Sequence, residues 1–285
     1  MSTPPRPEGT QAARIIAITS GKGGVGKTNI AVNLGIALAR SGRRTMLWDM
    51  DLGLANAHVL LGLSTGANLS QVLDGRKRVE EVMTEALGGL QVMPGPSGDE
   101  GLANLGNRGR QFLVNALERA TRTSDYLLID TGAGISDNVT RFTYAADEVI
   151  VVTNTEPTAL LDAFASIKLT SHHNPEANIR LLINMARNDR DARHAMGVIS
   201  NAAERFIHKP LGQEVYLPFD GAVSDAVRRR TPFIWNTPDS EVAKAVMRLA
   251  AHLIEGERTL THMPRQEETE RPGFIHRLLA QLAAA

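Results

Sequence analysis

Eight residues, Gly21-Lys22-Gly23-Gly24-Val25-Gly26-Lys27-Thr28, constrain this chain more than any other stretch. They fit the phosphate-binding pattern G-x-x-x-x-G-K-[ST] and lie between two segments that suit it. The apolar, β-branched run Arg14–Thr19 reads as a buried strand leading in. Asn29–Arg40 carries Ile30, Leu34, Ala37 and Leu38 at helical spacing and reads as the helix leading out. In such a loop the glycines let backbone N–H groups turn inward around phosphate oxygens, and the helix N-terminus adds its positive end. Lys27 is placed to reach the β- and γ-phosphates, and the Thr28 hydroxyl to bind Mg²⁺. The sequence therefore predicts a nucleotide-binding protein with Gly21 through Thr28 as its phosphate site.

The rest of the chain alternates strand-like and helical patterns. Strands are expected at 14–19, 44–49, 89–93, 126–130, 148–153, 179–185 and 213–217. Helices are expected near 28–41, 69–86, 108–122, 136–146, 158–171, 190–207, 221–229 and 239–255. Runs such as Tyr126-Leu-Leu-Ile-Asp130 and Glu148-Val-Ile-Val-Val-Thr153 are continuously apolar, as parallel strands covered on both faces should be. The expected fold is α/β: a mostly parallel, doubly wound sheet flanked by helices.

Four segments follow. Residues 1–12 are Pro-rich and polar and read as disordered, and 13–255 form the nucleotide-binding domain. Residues 256–272, polar with two prolines, read as a linker. Residues 273–285 form an amphipathic helix in which Phe274, Ile275, Leu278, Leu279 and Leu282 make one apolar stripe, with Arg271, His276 and Arg277 around its start. A stripe of that kind suits either an anionic membrane surface or a groove on the domain itself, and with a polar linker before it 273–285 is read as a membrane-targeting helix. No stretch reaches the ~20 apolar residues of a membrane span, and the N-terminus has no signal-like apolar core, so a cytoplasmic protein is expected.

Two acidic positions stand at strand ends, where open α/β sheets face their ligands. Asp49 and Asp51, two apart in Leu47-Trp48-Asp49-Met50-Asp51, share a face and can converge on one metal–phosphate centre. Asp130 ends the apolar run Leu127-Leu-Ile and precedes Thr131-Gly132-Ala133-Gly134, the pattern of a Mg²⁺-water ligand followed by a flexible backbone. The eight histidines are scattered and suggest no metal site or catalytic triad.

Lys22 makes the pattern more specific. Only six of the 31 basic residues are lysines, and two of those six lie in this loop. The string Lys-Gly-Gly-Val-Gly-Lys-Thr resembles the deviant phosphate loop of the MinD/ParA-type ATPases. The resemblance implies a P-loop NTPase fold of the SIMIBI-like kind, ATP and Mg²⁺ as cofactors, and an ATP-dependent homodimer in which Lys22 crosses to the partner's nucleotide. It implies that Asp51 orients the attacking water and that Asp49 and Asp130 support Mg²⁺ with Thr28, so that Lys22, Lys27 and Asp51 carry the hydrolysis. It also implies that Leu181-Leu-Ile-Asn184 and Leu217-Pro218-Phe219-Asp220 line the adenine, with Asn184, Pro218 and Asp220 in contact.

The absence of cysteine removes the iron–sulfur branches of that family. Equal counts of basic and acidic residues, 31 each, argue against nonspecific DNA binding and against any specific nucleic-acid partner. Asp51-Leu-Gly-Leu-Ala-Asn56, Val59-Leu-Leu-Gly-Leu63, Asp130-Thr-Gly-Ala-Gly-Ile135, Glu156-Pro-Thr158 and Asn184-Met-Ala186 resemble the FlhG (FleN) branch, which sets flagellar number and placement. A MinD-like role in placing the division site and a ParA-like role in DNA partition are the alternatives, and an ATP-dependent amidating enzyme is a third. The FlhG resemblance implies attachment of the ATP-bound dimer to the inner face of the cell membrane. It brings as candidate partners the flagellar GTPase FlhF, flagellar switch or C-ring proteins, and a flagellar transcription regulator. An N-terminal Asp-Gln-Ala helix that serves FlhF in that branch is reduced here to Gln11-Ala12-Ala13-Arg14, and His58 stands where an acidic residue is expected.

Overall fold

The computed structural model describes residues 13–51, 56–64, 66–95, 107–135, 137–212, 215–262 and 273–283. The predicted N-terminal segment 1–12 and the four residues between Asp51 and Asn56 lie outside them.

Eight strands form one sheet in the order β3-β4-β2-β5-β1-β6-β7-β8. They are β1 (Arg14–Ser20), β2 (Thr45–Met50), β3 (Thr84–Glu85), β4 (Gln91–Met93), β5 (Tyr126–Ala133), β6 (Glu148–Thr153), β7 (Asn178–Ala186) and β8 (Val215–Pro218). All neighbours are parallel except the short edge strand β3, which runs antiparallel to β4. The helices are α1 (Lys27–Arg40), α2 (Ala57–Leu60), α3 (Leu69–Leu73), α4 (Asn107–Thr123), α5 (Asp137–Ala145), α6 (Pro157–His173), α7 (Asp189–Ile207), α8 (Gly221–Arg228), α9 (Phe233–Asn236), α10 (Glu241–His262) and α11 (Phe274–Ala283).

The continuous apolar strands divide between the two faces by alternation. Ile16 and Ile18 of β1, Leu128 of β5 and Ile150 and Val152 of β6 pack with α1, α9 and α10. Ile15, Ala17, Leu127, Ile129, Val149 and Val151 point the other way, toward α4, α5, α6 and α7. Both faces are therefore dry, and the ligand crevice is left at the carboxyl ends of the central strands β2, β5, β1 and β6. Beneath the sheet, buried Glu148 bridges Arg14 and Arg180, tying together β1, β6 and β7. The second Arg14 nitrogen donates to the Leu253 carbonyl at 2.7 Å and fastens α10 to the same point.

Three expectations need correction. The predicted helix 69–86 is three pieces: α3 stops before Gly75, whose φ of 70° belongs to the left-handed region, and a 3₁₀ turn and β3 follow. The predicted linker 256–272 begins later, because α10 continues to His262; 263–272 lie outside the described residues. The terminal stripe does not face solvent. Phe274, Leu278 and Leu282 are 5%, 0% and 1% exposed and belong to the core against α4 and α5, and Ile275 packs beside them. Of the five stripe residues only Leu279, 41% exposed, remains largely outside. Arg277 donates to the Ala145 carbonyl at 2.8 Å and pairs with Asp147, while Arg141 donates to the Gln281 carbonyl at 3.1 Å. The domain offered an apolar groove with polar groups at its ends, and the helix buries its stripe there.

Candidate nucleotide site

The loop after β1 is shaped by its glycines. Gly24 and Gly26 have φ of 80° and 89°, a conformation an L side chain rarely adopts. Gly26 also lies against Asn184: a Cβ on it would stand 2.4 Å from the Asn184 amide nitrogen. Gly21 is held differently, since a Cβ there would stand 2.2 Å from the Asp162 carbonyl oxygen on α6. Gly23 and Gly24 face open space, so the middle of the loop is free to receive a ligand. α1 starts at once after Gly26 with no side-chain cap and no acidic residue in its first turn. Its N-terminal N–H groups are thus available to an anion, as in other phosphate cradles.

Lys27 is buried, and its Nζ lies 2.8 Å from Asp130 Oδ1. Thr28, next to it, bonds the same carboxylate. Asp130 and Asp49 are both fully buried and stand opposite each other in the β5–β2 register. Asp49 accepts the Ala57 N–H at 2.9 Å and the Asp51 N–H at 3.2 Å. Those two bonds fasten the segment after β2 to the site. Among the described residues, Asp130 Oδ2 has no hydrogen-bond partner. Burial pushes the Asp49 carboxyl up to about 7, with the Asp130 charge adding to it against the two backbone N–H groups and Lys27. Burial raises Asp130 too, opposed by Lys27 and Thr28. Two facing buried carboxylates share one ammonium, and one oxygen is orphaned. That arrangement fits a hard divalent cation, which takes oxygen ligands and discharges the excess negative charge.

The other predicted residues are placed by the strands and helices that carry or flank them. Asp51 follows β2 directly, and its charge acts on Asp130. Val25 is buried, and its carbonyl accepts the Asn184 amide at 2.8 Å, so Asn184 stands on the phosphate loop itself. Pro218 ends β8. Asp220 caps α8 by accepting the Ala222 N–H at 2.9 Å, a structural duty the sequence reading did not assign. Phe219 beside it is exposed. Lys22 turns toward α6, with Nζ 2.8 Å from Glu156 Oε2 and 3.2 Å from Thr158 Oγ1. Glu156 and Thr158 hold the Lys22 side chain, a role the sequence reading did not assign although it singled out Glu156-Pro-Thr158 as a motif. Ser20 was missed as well: its hydroxyl donates to the Lys22 carbonyl at 3.0 Å and fixes the loop's first turn.

Comparison with known proteins agrees with this geometry. The family described as ParA, "NUBPL iron-transfer P-loop NTPase", matches residues 11–254. The antiactivator FleN of Pseudomonas aeruginosa is 38% identical over 83% of this chain and 85% of its own length. The flagellum site-determining protein YlxH of Helicobacter pylori is also 38% identical, over 63% of this chain and 60% of its own. Among solved structures, the septum site-determining protein MinD of Pyrococcus horikoshii, complexed with Mg-ADP, superposes with a TM-score of 0.71 at 26% identity, covering 88% of this chain and all of that one. With a glycine-shaped phosphate loop, a buried lysine and two opposed strand-end aspartates on a matching sheet, the chain belongs to the ParA/MinD family of P-loop NTPases.

Proposed function

We propose that this protein is an Mg-ATP-dependent dimerising switch that controls flagellar number or placement. The observation that carries the chemistry is the Lys27–Asp130–Asp49 cluster beneath an open phosphate loop. The flagellar assignment rests on the likeness to FleN across most of both chains. MinD-like placement of the division site is the second reading, favoured by the likeness to the Pyrococcus horikoshii protein. An iron-carrier role of the kind named in the family description has no cysteine to support it.

Thr28, Asp130 and Asp49 would hold Mg²⁺, which supplies charge neutralisation at the β- and γ-phosphate oxygens. Lys27 leaves its ion pair with Asp130 to meet those phosphates, and the α1 N-terminus and loop amides bind the remaining oxygens. Asp51 positions water. Lys22 serves the nucleotide of a second copy. Asn184, bonded to the loop, and Pro218 flank the base. Phosphate binding therefore reaches Asp49, Asp51 and the segment starting at Ala57 through the hydrogen bonds Asp49 already makes.

The same switch works the C-terminal helix. α5 follows the Asp130–Gly134 segment closely in the chain, and α11 is docked on α5. Docking rests on three buried side chains, worth about 1.5–3 kcal/mol each, and on polar contacts such as Arg277–Asp147. ATP-driven movement of α5 would free α11 to enter an anionic membrane surface. Two freed helices on one dimer bind together, and such pairing raises apparent affinity by about 10²–10⁴-fold.

The experiment that separates the two cellular readings is deletion of the gene, with flagella counted by electron microscopy and minicells scored in the same cells. Altered flagellar number without minicells supports the proposal. Minicells with normal flagella overturn it in favour of division-site placement.

A further inference from the structure

Lys22 is the loop cation that this protein's own phosphate site does not need, and in the single chain it is not loose. It makes two contacts with the start of α6, to the carboxylate of Glu156 and the hydroxyl of Thr158. The backbone on either side is fixed: Ser20 holds the Lys22 carbonyl, and Gly21 abuts the Asp162 carbonyl so closely that no side chain fits between loop and helix. Only the lysine's own stem can swing.

Glu156 is equally committed. It sits at the N-cap position of α6, yet its side chain caps nothing, and its own N–H donates to Asn154 Oδ1 at 3.0 Å. The carboxylate turns to the lysine, whose hydrogen bond is the largest influence holding it below the usual carboxylate range, with Asn154 adding a smaller one. The location matters electrostatically. A cation beside a helix N-terminus is repelled by the positive end of the 17-residue α6, so Lys22 stays there only while Glu156 carries charge.

We propose that Glu156, with Thr158, is a latch that parks Lys22 on α6 in the monomer and so sets the protein concentration at which the ATP-bound dimer forms. This rests on the trans role of Lys22 proposed above. Before it can reach a second copy's phosphates, each Lys22 must leave its latch, and each dimer opens two. Exposed pairs of this kind shift an equilibrium by about 1.4- to 5-fold, so two raise the dimer dissociation constant by about 2- to 30-fold. Glu156 is thus a positioning residue for assembly, which restrains the dimer without touching nucleotide.

The test compares wild type, Glu156→Gln and Lys22→Ala in the full chain. Dimer dissociation constants are measured by sedimentation with a non-hydrolysable ATP analogue and Mg²⁺. Affinity for a fluorescent ATP analogue is measured at concentrations where the protein is monomeric. Amine-labelling rate at Lys22 is followed by mass spectrometry without nucleotide. Glu156→Gln is expected to label faster at Lys22, to dimerise at a severalfold lower concentration, and to bind nucleotide as wild type does. An unchanged labelling rate overturns the latch. So does an unchanged or weaker dimer, the latter making Glu156 a dimer contact instead. Failure of the underlying reading shows separately: Lys22→Ala would then dimerise as wild type does.

Discussion

Asp49→Asn is the perturbation that most directly tests the electrostatics of the site. Wild-type Asp49 carries a carboxyl moved from its ordinary 3.8 up to about 7, chiefly by burial and secondarily by Asp130. A carboxyl raised in the folded state favours the fold fully below 3.8, where it is protonated in both states. That advantage is lost as pH rises toward 7, because the unfolded chain gains from ionising while the folded one does not. Above 7 the accumulated loss is about 4 kcal/mol. Part of it has already developed by pH 5, so about 2–3 kcal/mol separates pH 5 from pH 8. Asparagine does not ionise and so loses nothing as pH rises. It does lose one acceptor, since both carboxylate oxygens take backbone N–H groups, from Ala57 and Asp51. That loss of about 1–3 kcal/mol is the same at both pH values and cancels in the difference. In urea unfolding of nucleotide-free protein with EDTA, the variant should therefore gain on wild type by about 2–3 kcal/mol between pH 5 and pH 8. In thermal scans this is about 4–12 °C. Adding Mg²⁺ and ATP at pH 8 should reverse the order, because the cation uses the charge the variant lacks. Parallel stability profiles from pH 5 to pH 8 would refute the argument that two buried carboxylates stand opposed without a cation.

Lys22→Ala should lose the ATP-dependent dimer while the monomer still binds ATP, whereas Lys27→Ala should lose binding itself; sedimentation and nucleotide titration distinguish them. Asp51→Ala should bind ATP and dimerise but turn over at least about 100-fold more slowly, the scale of a lost proton-transfer or water-positioning group; normal steady-state hydrolysis removes Asp51 from the mechanism. Asp147→Ala cuts the body's half of the Arg277 contact and leaves the C-terminal helix untouched, so cosedimentation with anionic liposomes without ATP should rise up to about 5-fold. Phe274→Glu with Leu278→Glu should abolish liposome binding in every nucleotide state, and retention of binding would sink the membrane role.

What could be read from the sequence depends on how far apart the interacting residues lie. The phosphate loop, the helix after it and the strand-end aspartates are local: their chemistry is set by a few neighbouring residues and by the strand they terminate. The sheet was legible because buried parallel strands are apolar on both faces, as β1, β5 and β6 are. The break in the predicted 69–86 helix was also locally encoded, in Asp74-Gly75, but buried Val79 and Val82 extended the apparent helical spacing past it. The two-residue β3 has too little pattern to be seen at all. Lys22 and Glu156 are 134 residues apart, and only the packing of Gly21 on α6 brings them together.

The C-terminal helix marks a different limit. Its stripe specifies that about one face of a short helix must leave water, and the hydrophobic effect is indifferent to whether lipid or protein replaces that water. The structure supplies the missing half of the comparison: a groove along α4 and α5 whose polar ends, Ala145 and Asp147 on one side and Arg141 on the other, match this helix. A segment with two suitable solvents is chosen by whatever alters the groove. In the proposed switch the phosphate would act on it through α5, which follows closely on the Asp130–Gly134 segment. Under the proposed switch, the residues that make the tail's destination ambiguous from sequence are the ones through which a nucleotide would decide it.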